Sequence, residues 1–149
     1  IVSARPVALE RRGLGPAALP SRDGRIWLRI TGHGTVGDRA HWAAFGDDAA
    51  VSGGLVAGTA DAPRFCGDAI ADPLTGIHAA RAVLESHARG GGEVVELAMS
   101  AVAAQYAELP RGSESICSTR LSAVSPAAPL GADNEVVDRL VARRLVDAC

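Results

Sequence analysis

Lysine is absent from this 149-residue chain, and all fifteen of its basic side chains are arginines. Set against seventeen acidic residues they leave a net charge of −2, which excludes nucleic acid as a general partner. Arginine still suits phosphate through its planar fork, and Arg11–Arg12 and Arg143–Arg144 are the two local pairs. Solvated helix faces account equally well for such pairs. Cysteine is scarce. Cys66, Cys117 and Cys149 are an odd number without paired spacing, which excludes a disulfide framework and a zinc ribbon and leaves free thiols. Aromatics make up only 3% of a chain that is 48% hydrophobic, so the expected core is Ala, Val and Leu within one domain. No apolar run approaches the roughly 20 residues of a membrane-spanning helix, and no basic start leads into an apolar stretch. The expected compartment is therefore the cytoplasm, with no membrane partner.

What is present alternates between helix and strand. Ile1 stands in place of an initiator methionine, and Ile1 to Ser3 reads as a strand cut short, so the chain is expected to be a fragment, a processed product or a truncated gene model. Pro6 and Gly13 bracket a short helix. Arg25 to Thr31 predicts a strand, His41 to Val51 a helix with Trp42, Phe45 and Ala49 on one face, and Ser52 to Pro63 a loop. The helix after Asp72 is expected to end at Gly90 to Gly92, followed by a strand over Glu93 to Met99 and a short helix from Ser100 to Tyr106. The organisation expected is a core over 1–109, an irregular connector over 110–130, and a C-terminal helix over 131–149 that packs on the core. That helix, Asp133 to Val146, turns Val136, Val137, Leu140, Val141 and Leu145 inward. The order implies an α/β fold with a partly parallel sheet.

The most informative stretch is Phe65 to Gly76, FCGDAIADPLTG. Asp72 directly precedes a proline that can only open a helix, so the expectation is that Asp72 is the N-cap and Pro73 the first helical residue. Leu74, Ile77, Ala80 and Leu84 then form the expected apolar face. The positive end of a helix favours negative charge, and a carboxylate held there suits a nucleophile. A plain cap is the simpler reading of the same residue.

Three other patterns carry less. Gly32, Gly34 and Gly37 spell G-x-G-x-x-G after a strand, but the acidic residue that a dinucleotide site needs about 20 positions later is replaced by the Gly-rich SGGLVAG. A flexible loop is the expectation there, and an NAD-dependent oxidoreductase is a distant reading. His33, His41, His78 and His87 have no zincin or ribbon spacing, so no metal is expected. Cys66, near Asp72 but without an adjacent base, reads as a small packing residue.

Taken in order, SARPVALERRGL, WLRITGHGTVGDRA, FGDDAAVSGGLV, GDAIADPLTGIHAARAVL and GGGEVVELAMSAVAA resemble the family III CoA-transferases, the group of formyl-CoA transferase, carnitine-CoA transferase and α-methylacyl-CoA racemase. The resemblance spans roughly Ile1 to Ala104, with a weaker echo at PLGADNEVVDRLV. It implies part of a Rossmann-like large domain, without the N-terminal half and without the small domain that relatives insert where this chain has only Pro110 to Pro129. It further implies coenzyme A, as acyl-CoA, for substrate, a carboxylic acid acceptor, and a homodimer or a companion N-terminal half. Family transferases use an aspartate that opens a helix in a G-D-x-x-x-G type run, and Asp72 to Gly76 matches it with Asp72 as nucleophile. Arg11 matches an arginine near the CoA phosphates. Ser3, Ala4 and Arg5 match one stretch beside the cofactor cleft, and Ala44, Phe45 and Gly46 another. Asp68, four residues before Asp72, is expected to be structural. The family's racemases carry a histidine where this chain has Phe45, which disfavours a two-base racemase unless His41 substitutes. A non-catalytic CoA-binding or assembly module is the alternative. A fragment lacking neighbouring strands is also expected to expose sheet edges and to aggregate or dimerise.

Overall fold

The computed structural model describes residues 1–3, 6–20, 22–110, 126 and 128–146. The chain divides into two units, Ile1–Arg111 and Gly112–Cys149. The first holds α1 (Pro6–Glu10), β1 (Trp27–Thr31), α2 (Gly46–Ser52), β2 (Val56–Thr59), β3 (Ala62–Phe65), α3 (Ala71–Ala88), β4 (Val94–Ala98) and α4 (Met99–Ala107). The second holds α5 (Asn134–Val146), whose Val136, Val137, Leu140 and Val141 are exposed.

β1 and β4 run parallel in the register Trp27↔Val94 to Thr31↔Ala98, and Val2 bridges Arg29 on the other side of β1, also parallel. Parallel neighbours need a long crossover, and α3 supplies the return to β4. Across the pair, half-exposed Glu96 accepts from the Arg29 guanidinium at 2.9 Å and from the Thr35 hydroxyl at 3.2 Å. Thr35 lies between Gly34 and Gly37, so the Gly-rich segment after β1 is tied to the sheet. No helix opens at Gly37, in keeping with the loop reading.

The core is built from small side chains. Ala49, Ala50, Ala71, Met99 and Ala103 form it, with Ile30, Ala44, Leu55 and Ile70 packed around them. Helices meet closely here: a Cβ on Gly53, at the end of α2, would lie 2.8 Å from the Ala103 Cβ of α4. Such spacing accommodates alanine and glycine and leaves no room for aromatics.

Four expectations are corrected. Residues 41–45 are not helical, and α2 begins only at Gly46, where the Asp48 carboxylate accepts the Phe45 backbone N–H at 3.0 Å and fixes the start. Ser52 to Pro63 is not a loop throughout, because β2 and β3 pair antiparallel as a hairpin closed at Thr59↔Ala62. Gly58, at φ +83°, lets the two strands approach where a side chain would strike the Ala62 carbonyl. Asp72 is not the N-cap: the cap position is Ile70, and Asp72 lies inside the first turn, its backbone N–H donating to the Ala69 carbonyl at 2.9 Å. The cause is remote in sequence. The Asp47 carboxylate accepts the Ala69 N–H at 2.8 Å, and Ala69 takes a left-handed φ of +44°, so the chain turns into the helix before Asp72.

The fourth correction concerns which face of α3 is inside. Ala71, Thr75, Ala79 and Ser86 are buried, whereas Ile77 and Leu84 are 65% and 68% exposed. The close approach of α3 to α4 admits small side chains and turns the large ones outward.

Candidate active site

The parallel strands end at Thr31 and Ala98, and a two-lobed cleft opens beyond those carboxyl ends, where α/β folds place their ligands. One lobe, about 360 Å³, has Asp72, Thr75 and Gly76 from α3 on one side and Thr31, Gly32 and Met99 at the strand ends. The other, about 400 Å³, reaches Ala8 of α1 and Ala40 and Trp42 of the loop after β1. Ser3, Ile30, Ala44 and Phe45 wall both, so the lobes are continuous.

Asp72 is the acidic residue in the first turn of the 18-residue α3, where unpaired N–H groups and the helix dipole favour an anion. Its carboxylate lies against Gly46. A Cβ built on Gly46 would stand 2.7 Å from Asp72 Oδ2 and would collide with the Ala69 carbonyl. Gly32 makes a similar approach to Ala44, whose Cβ would be 2.6 Å from a Cβ at Gly32. The two glycines thus let the strand end, α2 and the start of α3 converge on one lobe.

Of the residues expected at the site, Ser3, Ala44 and Phe45 line the lobe that holds Asp72, and buried Gly46 touches its carboxylate. Arg11 is exposed in the turn after α1 and lines neither lobe. Ala4 and Arg5 lie outside the described residues. Asp68 and His41 line neither lobe. The other histidines line neither lobe: His33 meets Trp42 edge-on at 6.0 Å between centroids, His78 Nε2 lies 3.1 Å from the Tyr106 hydroxyl, and His87 is exposed near the end of α3. Arg39 sits 5.4 Å over the ring of Trp42, which lines the larger lobe.

Sequence reading missed Thr31, Thr75 and Met99 as lining residues, and missed Asp47 and Asp48 as the side chains that shape the turns. The pair of carboxylates directly after Phe45–Gly46 was the available signal, since acidic residues collect in first helical turns.

The family model for CoA-transferase family III matches residues 1–114. The chain belongs to CoA-transferase family III. Solved structures share the fold. The hypothetical protein Rv3272 of Mycobacterium tuberculosis is 29% identical with a TM-score of 0.61, over 70% of this chain and 32% of that one. An aspartate-to-alanine variant of the same protein is 28% identical with a TM-score of 0.61, over 70% and 31%. A CaiB/BaiF family protein of Brucella suis, at 24% identity and a TM-score of 0.60 over 69% and 29%, shares the fold. The family III chain here therefore spans about a third of the length of these solved relatives. No curated protein matches it. Among the described residues no helix is long and apolar enough to cross a membrane.

Proposed function

We propose that the chain is part of a transferase that moves CoA from an acyl-CoA to a carboxylic acid, with Asp72 as nucleophile. The observation that carries this reading is the Asp72 carboxylate standing in the first turn of α3, against Gly46, inside the cleft at the strand ends. Asp72 attacks the thioester carbonyl, the carbon–sulfur bond breaks, and a mixed anhydride forms as CoA thiolate leaves. Return of the thiolate to the Asp72 side-chain carbonyl releases the first acid and leaves an aspartyl-CoA thioester. The acceptor carboxylate then attacks that thioester, expelling CoA thiolate and forming a second mixed anhydride, and the thiolate attacks the acceptor's acyl carbon to give the new acyl-CoA with the Asp72 carboxylate as leaving group. No proton needs to be taken from substrate, which suits a lobe that no histidine lines among the described residues. That same lack, with Phe45 in the wall, disfavours a racemase.

The two-lobed cleft suits a long, narrow substrate, with the thioester at Asp72 and the chain running past Ser3, Ala44 and Phe45. In this reading Arg11 serves the CoA phosphates, Ala4 and Arg5 serve the cofactor together with Ser3, and the protein works in the cytoplasm as a homodimer or with a companion N-terminal half. A non-catalytic CoA-binding or assembly module is the second reading.

Intact-mass spectrometry after incubation with acyl-CoAs and hydroxylamine separates the two. The transferase reading predicts an adduct or hydroxamate on Asp72 that Asp72→Ala abolishes. CoA binding without any adduct would support the module instead.

A further inference from the structure

Thr75 lines the lobe that holds Asp72, yet it is only 1% exposed and its Oγ1 has no hydrogen-bond partner. A buried hydroxyl without a partner lowers stability, and valine would fill the same shape without that penalty. Its companions on the buried stripe of α3 show that apolar side chains serve there, since Ala71 and Ala79 occupy the positions one turn before and after it. Thr75 also lies three residues after Asp72, a spacing that makes the two neighbours on a helix surface. Helical threonine divides its time between two χ1 rotamers, so the hydroxyl can turn toward the preceding turn without leaving its packing site.

We propose that Thr75 is a positioning residue for Asp72, its hydroxyl donating to the Asp72 side-chain oxygen that stays on the carbonyl carbon when the other oxygen is exchanged for sulfur. This inference rests on the transferase reading. When the thiolate sulfur bonds to the Asp72 carbonyl carbon, an electron pair moves onto that oxygen, and it returns as the carboxylate leaving group departs. The Thr75 O–H stabilises the charge throughout and keeps its proton, so atoms and electrons balance without another reactant. The carbonyl is also held in one orientation for attack by the acceptor from the open side of the lobe.

The test compares Thr75→Val, Thr75→Ser and wild type in the full-length protein, following single-turnover formation of the Asp72 adduct across pH together with thermal unfolding. Thr75→Val is expected to unfold at the same or a higher temperature while forming adduct on the order of tenfold to a hundredfold more slowly. Thr75→Ser is expected to restore most of the rate, with the pH profile of wild type. Ser86→Ala, eleven residues further along the same buried stripe, controls for loss of a buried hydroxyl and is expected to leave the rate unchanged. An unaltered rate in Thr75→Val, or no recovery in Thr75→Ser, overturns the proposal. If Thr75→Val does not fold, Thr75→Ala replaces it under the same criteria. A wild type that binds CoA but forms no adduct overturns the transferase reading and this proposal with it, an outcome distinct from equal rates.

Discussion

The two faces of α3 are chemically inverted relative to expectation. The buried one carries Ala71, Thr75, Ala79 and Ser86, and the opposite side exposes Ile77 and Leu84. Hydrophobicity alone would have placed them the other way round. The difference teaches that the close packing of α3 on a core of Ala49, Ala50, Met99 and Ala103, which Ala71 joins, selects what goes inside. The same choice decides the site, because adjacent residues have opposite fates: Ala71 is 0% exposed in the core, and Asp72 is turned into the cleft.

That contrast can be broken most severely at residues 71 and 72. Asp72→Ala should abolish adduct formation while leaving the unfolding midpoint nearly unchanged, as read by mass spectrometry and calorimetry together. Ala71→Leu should do the reverse, overpacking the α3–α4 contact and destabilising by about 1–3 kcal/mol in a denaturant titration. Gly46→Ala touches both sides of the contrast. Its new Cβ meets the Ala69 carbonyl and Asp72 Oδ2, so stability should fall by about 1–3 kcal/mol and adduct formation with it.

Smaller effects sharpen the comparison. Ile77→Ser and Leu84→Ser, on the exposed face, should each change stability by no more than about 0.5 kcal/mol. If either costs as much as Ala71→Leu, that face is covered in the working protein. The smallest effect concerns the exposed surface of α3, where Arg81 donates to Glu85 at 2.7 Å. The hydrogen bond from Arg81, reinforced by its charge, holds the Glu85 carboxyl below its ordinary range. A carboxyl depressed in the folded state contributes stability above its unfolded pKa and loses it as pH falls through the folded value. Glu85→Gln should therefore lower the midpoint slightly at neutral pH, and the gap from wild type should close on acidification. A second carboxyl, Glu93, is lowered by the Ser86 hydroxyl and by Arg89, although that hydroxyl stops short of hydrogen-bonding geometry.

How legible the molecule was depended on where the deciding contact lay. β1, β4, α4 and the end of α3 followed from local apolar pattern and from the glycines at 90–92, and the ordered run of segments identified family III. The hairpin was hidden because Gly58 and Pro63 are loop signals in isolation, whereas in the fold they face each other across a close approach. The start of α3 was misplaced because its turn is fixed by Asp47, 22 residues before Ala69. Asp72 could be singled out from its neighbours Pro73 and Gly76, but the partners that shape its lobe, Gly32, Gly46 and Met99, come from three other segments. Thr75 escaped notice because its interest lies in a missing hydrogen bond, which only packing reveals.

The central claim is that an oxygen of Asp72 is exchanged during transfer, and an acceptor acid labelled with heavy oxygen in its carboxylate tests it most directly. After a single turnover by the full-length protein, the account predicts one heavy oxygen in the peptide that carries Asp72, localised to that side chain by fragmentation. Measured turnover with no label at Asp72, or with the label on another carboxylate such as Asp68, would contradict it.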